Sequence, residues 1–394
     1  MTEWKTYRLG DVCSRLRSGK GIPASEVSAC GKFAVVGGNG VRGYTDKSNF
    51  NGQCVVVGRQ GAYCGNVRYF DGEFYMTEHA VVIVGNEYAD THFLAYLLSI
   101  MELGHLSAQS AQPGLSVQTL SKLEISLPSL AEQRRIAGIL GAIDDKIENN
   151  RRINSNLELQ AQALYKQWFV DFEFPNEDGK PYKSSGGKMV DSELGPIPEG
   201  WRVGKLEDIG DIIGGGTPSK AVAEYYTKNG IAWITPKDLS VSHSKFTSKG
   251  ETDITELGYK NSSAKIMPRG SVLFSSRAPI GYISIAKNDI CTNQGFKSVV
   301  PNNGCTAFVY YFLLSNTENI ESKATGSTFK EASGALMKSL DLVIPSDDIL
   351  EKFENIMSPI FELQEKFEAE NETLATLRDT LLPKLMNGEL KIGE

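Results

Sequence analysis

Two stretches of this chain repeat apolar side chains in steps of three and four. The first follows Pro128 and runs Ile136, Leu140, Ile143, Ile147, then Leu157, Ala161, Leu164 and Trp168, with Asn150 and Asn154 on the same stripe. The second follows Pro345 and runs Phe353, Ile356, Ile360, Leu363, Phe367, Glu370, Leu374, Leu377 and Leu381. A rhythm sustained over about four heptads reads as a coiled-coil seam rather than an ordinary surface helix. Ser129 with Glu132 forms a capping-box start, and Ser346 with Asp347 can cap the second helix. Each helix extends over about 40 residues, or about 60 Å at 1.5 Å per residue. Asn150 and Asn154 read either as register setters or as a solvated, frayed stretch.

Shorter patterns fill the rest. Strand-like runs are Lys32–Gly37, Gln53–Gly58, Ala80–Val84, Ser271–Ser275, Gly281–Ala286 and Lys297–Val300, with helical runs at Thr91–Leu103 and Thr306–Ser315. These fit an α+β class.

The chain also repeats itself. Trp4 to Val12 resembles Trp201 to Ile209 at an offset of 197, and Ile125 to Ser129 resembles Leu342 to Ser346 at an offset of 217. A period near 200 residues describes two copies of one large unit rather than a solenoid. The expected division is 1–128 for the first globular domain, 129–170 for its helix, 171–200 for a linker rich in Pro, Gly and Ser, 201–345 for the second domain, and 346–394 for the second helix and tail. Either helix alone would expose an apolar stripe. A pseudo-two-fold relation between the copies pairs them antiparallel; the alternative is that each folds back on its own domain.

Composition narrows the class. At 394 residues the chain can hold two or three domains. Its hydrophobic fraction of 41% and charged fraction of 23% are those of a soluble globular protein. No run approaches the length of a membrane span, and the first residues lack a secretory h-region. Six single cysteines, without Cys-x-x-Cys spacing, fit a reducing cytoplasmic setting rather than a zinc site. The formal net charge of −7 is uneven: 0 over residues 1–128, −3 over 129–200, +3 over 201–345 and −7 over 346–394. The acidity therefore lies with the helices, and the globular parts remain open to nucleic acid.

A search for catalysis finds nothing. Gly38-Asn39-Gly40-Val41-Arg42-Gly43 has dinucleotide-loop spacing, but turn residues follow it where a helix is required. Gly214-Gly215-Gly216-Thr217-Pro218-Ser219-Lys220 lacks the order of a phosphate loop. His79, His92, His105 and His243 show no metal or triad spacing. The loops instead combine Arg or Lys with Asn, Gln, Ser, Thr and Gly. Arg reads guanine, Asn and Gln read adenine, and Lys with backbone amides holds phosphate. Any one such loop can be a mere solvated connection; what speaks against that is recurrence, since Arg59 and Arg277 both end an apolar strand at matching places in the two copies.

One family carries the same residues. The segments Gly216-Thr217-Pro218-Ser219, Ile231 to Leu239, Ser275-Ser276-Arg277-Ala278-Pro279-Ile280-Gly281-Tyr282 and Thr292-Asn293-Gln294-Gly295-Phe296-Lys297 closely resemble the specificity subunit of type I DNA restriction–modification systems. So do the helix end Leu164 to Phe172, the tail Leu377 to Gly388 and the Gly-Lys-Pro-Tyr stretch from Gly179. The first domain departs most: Arg59-Gln60-Gly61 replaces Arg-Ala-Pro, and Glu78-His79 stands where the second copy has Asn293-Gln294. The resemblance implies two target recognition domains, each reading half of a split, asymmetric DNA site, with the antiparallel helices as conserved spacers that set the gap and dock the modification subunits. It implies a cytoplasmic, non-catalytic chain without cofactor or metal of its own. S-adenosylmethionine would come with two modification (methyltransferase) subunits, and ATP and Mg with restriction (translocase and nuclease) subunits.

Loop chemistry and this resemblance together select the candidate DNA contacts. In the first domain they are Lys20, Asn39, Arg42, Tyr44, Arg59, Gln60 and Gln112. In the second they are Thr217, Ser219, Lys220, Thr235, Lys237, Ser276, Arg277, Asn293, Gln294, Lys297, Ser327 and Thr328. The competing class is a scaffold of two ligand-binding domains joined by a coiled coil.

Overall fold

The computed structural model describes residues 4–107, 114–242, 244–326 and 330–390. Chain contacts divide it into two units: Met1–Asn149 with Glu372–Glu394, and Asn150–Asn371. Both boundaries fall inside the long helices, so each unit owns part of each helix.

The two ends of the sequence repeat turn out to be partners. Lys5–Arg8 runs antiparallel to Glu124–Leu127, with Lys5 opposite Leu127. Arg202–Lys205 runs antiparallel to Asp341–Ile344 in the same register, with Arg202 opposite Ile344. Alternation puts Ile125 and Leu127, or Leu342 and Ile344, on the buried face. Each ribbon closes its globular part and delivers the chain, at Pro128 or Pro345, to the start of a long helix.

In the first unit a six-stranded sheet runs in the order Cys13–Ser18, Ala80–Gly85, Phe50–Gly58, Val67–Met76, Phe33–Gly37, Gly40–Thr45. Val55, Val57, Val81 and Ile83 pack under the helix Thr91–Ser99, while Cys54, Val56, Val82 and Met76 form a separate core on the other face. A run buried on both faces explains why Val55-Val56-Val57 shows no alternation. Asp90 caps the helix by accepting from the Phe93 amide at 2.9 Å. That helix ends at Ser99 rather than Leu103, where the chain turns into a short 3₁₀ stretch, Leu103–Leu106. Gly40–Thr45, expected as loop with turn residues from Tyr44 on, is an edge strand. Val41, Arg42 and Tyr44 are exposed there, so no apolar pattern marked it. Val67–Met76 was also missed, since its acidic and glycine positions break the run.

The second unit carries a five-stranded sheet in the order Gly210–Gly214, Lys297–Pro301, Val272–Ser276, Ile280–Ala286, Phe246–Thr247. The helix Thr306–Ser315 covers it, with seven of its residues, from Ala307 to Leu313, in the core. The segment expected as a linker is built into this unit. Phe174 is buried, stacks on Tyr182 at 4.6 Å and on Trp201 at 4.9 Å, and Met189–Val190 pairs with Ile197–Pro198.

The long helices are Leu130–Tyr165, continued by a π turn over Lys166–Val170, and Asp347–Met386. They run antiparallel within each unit. Asp144 meets Arg378 in the first; Asn150 meets Asn371, Glu158 meets Gln364, and Trp168 meets Phe353 in the second. As one partner advances, its mate retreats.

The first seam follows its stripe; Ile136, Leu140, Ile147, Asn150, Ala161 and Trp168 are buried. The second differs from its stripe: Ile356, Leu363 and Leu377 point outward, each more than a third exposed. Met357 and Gln364 are buried in their place, and Arg378 turns inward to Asp144. At Leu363 and Leu377, reading by hydrophobicity alone chose an apolar neighbour over the polar residue that completes the heptad; at Ile356 two apolar neighbours stood side by side.

Each unit fixes its sheet domain to its helix pair by a tyrosine and a charged group. Tyr96 donates to Asp144 at 2.5 Å, and Arg378 pairs with the same carboxylate at 2.8 Å. In the second unit the Lys245 ammonium, only 9% exposed, meets Glu158 at 2.6 Å, Tyr311 at 2.8 Å and Gln364 at 3.0 Å. It also lies 4.0 Å from the Phe361 ring centroid. Burial pushes this ammonium down to about 8. Burial by itself would raise the Glu158 carboxyl, but Lys245, Gln162 and Gln364 together hold it below its ordinary range. Both groups are therefore charged at neutral pH.

Candidate nucleic-acid interface

In the first domain the polar candidates gather where strands end. Gly38 and Asn39 form the two-residue turn between Phe33–Gly37 and Gly40–Thr45. A Cβ on Gly38 would stand 2.9 Å from the His79 carbonyl oxygen and 3.0 Å from Gly58 Cα. Only glycine lets this turn lie against the end of strand Phe50–Gly58, which Arg59 and Gln60 directly follow. The Arg42 side chain passes Gly37 and the Arg68 guanidinium passes Gly40, each within 4 Å of where a Cβ would be. Lys20 joins the same end, its amide bonded to the Met76 carbonyl at 2.9 Å. Lys20, Arg42, Arg59 and Arg68 have no carboxylate partner among the described residues.

Tyr44 is on the edge strand opposite Ala34, four residues beyond Gly40 and so about 13 Å along it. It bonds through its backbone to Ser28 and is not part of this cluster. Gln112 lies outside the described residues. Arg68 was missed because its strand was missed.

In the second domain a single open cleft of about 700 Å³ gathers Thr217, Lys220, Thr235, Lys237, Arg277, Asn293 and Gln294. Its floor is fixed by close backbone packing: a Cβ on Gly215 would collide with the Asn293 carbonyl oxygen, and the Trp233 indole donates to the Gly216 carbonyl at 2.9 Å. Thr217 reaches across to hydrogen-bond the Gln294 side chain. Asp238 accepts from the Thr235 amide at 2.8 Å, the Thr235 hydroxyl at 2.7 Å and the Glu251 amide at 2.9 Å. Lys237 pairs with Glu251 at 2.7 Å, which holds its ammonium above the ordinary value. The Asn293 side-chain oxygen accepts from the Gly295 amide at 2.8 Å.

Other candidates sit around this cleft or behind it. Ser219 is exposed just outside the lining. Arg277 and Lys297 both point at Glu331, at 3.4 and 3.1 Å. Ser276 is fully buried and donates to the Gly295 carbonyl at 3.1 Å, so its hydroxyl supports the loop from within. Ser327 and Thr328 lie outside the described residues, as does His243.

The two copies match through their backbones, with two expected correspondences shifted by one residue: Glu78-His79 stands where the second copy has Gln294-Gly295, not Asn293-Gln294, and the arginines shift likewise. The Arg59 amide donates to the His79 carbonyl and the Leu115 amide to the Arg59 carbonyl. In the second domain the Ser276 amide donates to the Gly295 carbonyl and the Ala332 amide to the Ser276 carbonyl. Arg59 is thus equivalent to Ser276, and Gln60, not Arg59, is equivalent to Arg277. The two arginines are neighbours by one residue rather than counterparts, and adjacent residues of an extended chain face opposite ways.

Outside these sites, His92 is stacked between Tyr69 and Tyr96 at 4.1 and 4.9 Å, and burial lowers its pKa. Cys54, Cys291 and Cys305 are buried, and burial pushes their thiols up to about 12. Among the described residues no group of three or more His, Cys, Asp and Glu side chains is placed to hold a metal. No helix among them is long and apolar enough to cross a membrane.

Known proteins resemble this chain in sequence and in fold. A family model described as the type I restriction modification DNA specificity domain matches residues 1–159 and again 198–377. The type I restriction enzyme MjaIX specificity subunit of Methanocaldococcus jannaschii is 40% identical over 190 residues, 48% of this chain and 44% of that protein. The matched part is thus less than half of that relative. The HindI specificity subunit of Haemophilus influenzae is 27% identical over 331 residues, 71% of each chain. The fold is similar to the crystal structure of a type I restriction-modification S subunit from M. genitalium, with a TM-score of 0.68 at 17% identity, over 98% of this chain and 96% of that one.

Proposed function

Because the chain belongs to the type I restriction–modification DNA specificity family, we propose that it is the sequence-reading subunit of such a complex. Each globular domain reads one half of a split, asymmetric duplex site, and the paired long helices set the gap between the halves. The observation that carries this reading is the convergence of scattered polar residues. Seven candidates of the second domain line one open cleft, and Lys20, Asn39, Arg42, Arg59 and Gln60 of the first gather at one sheet end, their cations without a carboxylate partner among the described residues.

The cleft groups suit base edges: Arg277 for guanine, Asn293 and Gln294 for adenine. Lys220 and Lys237 suit phosphate. In the first domain Arg42, Arg59 and Arg68 supply the electrostatic part of binding. Bond-making belongs to partners. Two modification subunits, bringing S-adenosylmethionine, dock on the outward faces of the helices and methylate adenines taken out of the stack. Restriction subunits bring ATP and Mg. The chain itself carries no cofactor and works in the cytoplasm.

A mobility-shift experiment with a pool of random 40-base-pair duplexes tests this, using the full-length chain with and without its modification subunit. The expected result is salt-sensitive binding that resolves on selection into one split word. Indifference to DNA would favour a scaffold that binds other ligands.

A further inference from the structure

Among the described residues, Glu331 is the one acidic side chain that both Arg277 and Lys297 point at. It is bridged through its backbone to Thr325. Its neighbour Ala332 donates from its amide to the Ser276 carbonyl, which fixes Glu331 beside the strand end. Arg277 and Glu331 are each about a third exposed, and Lys297 about a fifth. An ion pair that open to water adds little to folding. Where Arg277 and Lys297 serve the DNA reading proposed above, a carboxylate beside them also opposes phosphate binding, because it cancels their charge.

The internal repeat supplies a control. With Leu115 equivalent to Ala332 and Gln60 to Arg277, Glu331 corresponds to Gly114. Gln60 and Gly114 are themselves bridged through their backbones. One copy therefore sets glutamine beside glycine where the other sets arginine beside glutamate. Arg42, Arg59 and Arg68 of the first domain have no carboxylate partner among the described residues; Arg277 of the second has Glu331.

We propose that Glu331 is a specificity-determining residue of the second domain: it keeps Arg277 and Lys297 from binding phosphate indiscriminately and joins Arg277 in reading a G·C base pair. This rests on the DNA-reading function proposed above. The chemistry is complementary side by side. In the major groove guanine offers acceptors at O6 and N7, and its paired cytosine offers the N4 donor. Arg277 provides the donors and Glu331 the acceptor, 3.4 Å apart. Phosphate alone satisfies the arginine and leaves the carboxylate repelled. A G·C pair satisfies both.

The experiment uses the full-length chain and the isosteric Glu331→Gln variant, with melting curves of both to show equal folding. Each is titrated against the random 40-base-pair pool from about 50 to 300 mM KCl and then taken through selection. The expected result is about 3- to 10-fold tighter binding of the pool by E331Q and a salt slope steeper by about one. The second half of the selected word should lose definition at a G·C position, with the first half unchanged. Weaker or unchanged pool binding, an unchanged second half, or a wild-type second half without any G·C pair would overturn the role of Glu331. If wild type selects no word at all, the DNA-reading function fails first and this inference with it.

Discussion

Asn150 donates a hydrogen bond to the side-chain oxygen of Asn371 at 3.0 Å, in the seam between the two long helices. Asn150 is fully buried and also donates to Glu370 at 2.9 Å, yet its own oxygen has no partner among the described residues. A polar pair in a seam fixes alignment at a cost in stability. Replacing both asparagines with leucine should raise the melting temperature of the full chain by several degrees, because a leucine at the fully buried Asn150 position contributes about 1.5–3 kcal/mol and one at the half-buried Asn371 position less. A lower melting temperature in calorimetry would contradict this.

Lys245 and Glu158 are a buried ion pair that ties the second sheet domain to both helices. Lys245→Met should destabilise by about 3–5 kcal/mol, since it leaves a buried carboxylate uncompensated. Adding Glu158→Gln should restore most of that. Denaturant midpoints of the two single variants and the double give the coupling; strictly additive losses would show that the two groups act independently.

Glu354 accepts hydrogen bonds from the Ala307 and Phe308 amides at 3.1 and 2.9 Å, capping the start of the helix beneath the second sheet. Burial outweighs these bonds and pushes its carboxyl up to about 7. A raised acid binds its proton more tightly when folded, so its contribution to stability is full below about pH 4.5 and lost as pH rises through 7. Relative to wild type, Glu354→Gln should show a flatter stability curve between pH 5 and 7.5, a difference of order 2–3 kcal/mol across the window. Parallel curves for the two proteins would refute it.

Arg68 and Arg277 should fail differently. Arg68→Ala should weaken binding to all duplexes alike and lower the salt slope by about one, as loss of a phosphate contact does. Arg277→Ala should cost about 1–3 kcal/mol on the preferred word and relax the second half-site. Salt titrations on random and selected duplexes separate the two, and an Arg68→Ala variant that binds like wild type removes that residue from the interface.

Removing one heptad from each long helix shortens the paired segment by about 10 Å. The tolerated gap in the DNA word should then fall by about three base pairs, or modification should be lost. Sequencing of methylated adenines reads the result; full activity at the original gap refutes the ruler.

Much of this architecture is local and so was open to reading. Apolar spacing gave both long helices, because a helix repeats every 3.6 residues whatever it later packs against. The matching ends, Lys5–Arg8 with Glu124–Leu127 and Arg202–Lys205 with Asp341–Ile344, were visible as a repeat because each copy closes with the same buried alternation. The loop chemistry around Thr217, Lys237, Arg277 and Gln294 was also legible as residue type and position.

What faces what was settled only by the folded chain. Whether Leu363 or Gln364 enters the seam depends on the partner helix, which offers the Asn154 carbonyl and the Glu158 carboxylate to a donating side chain there. That Gln60, and not Arg59, matches Arg277 depends on hydrogen bonds from strands and loops far along the chain. The pairing of Arg277 and Lys297 with Glu331 joins residues up to 54 positions apart. Such contacts arise from strand register and loop closure, which depend on neighbours brought together by folding, and no pattern of adjacent residues encodes them.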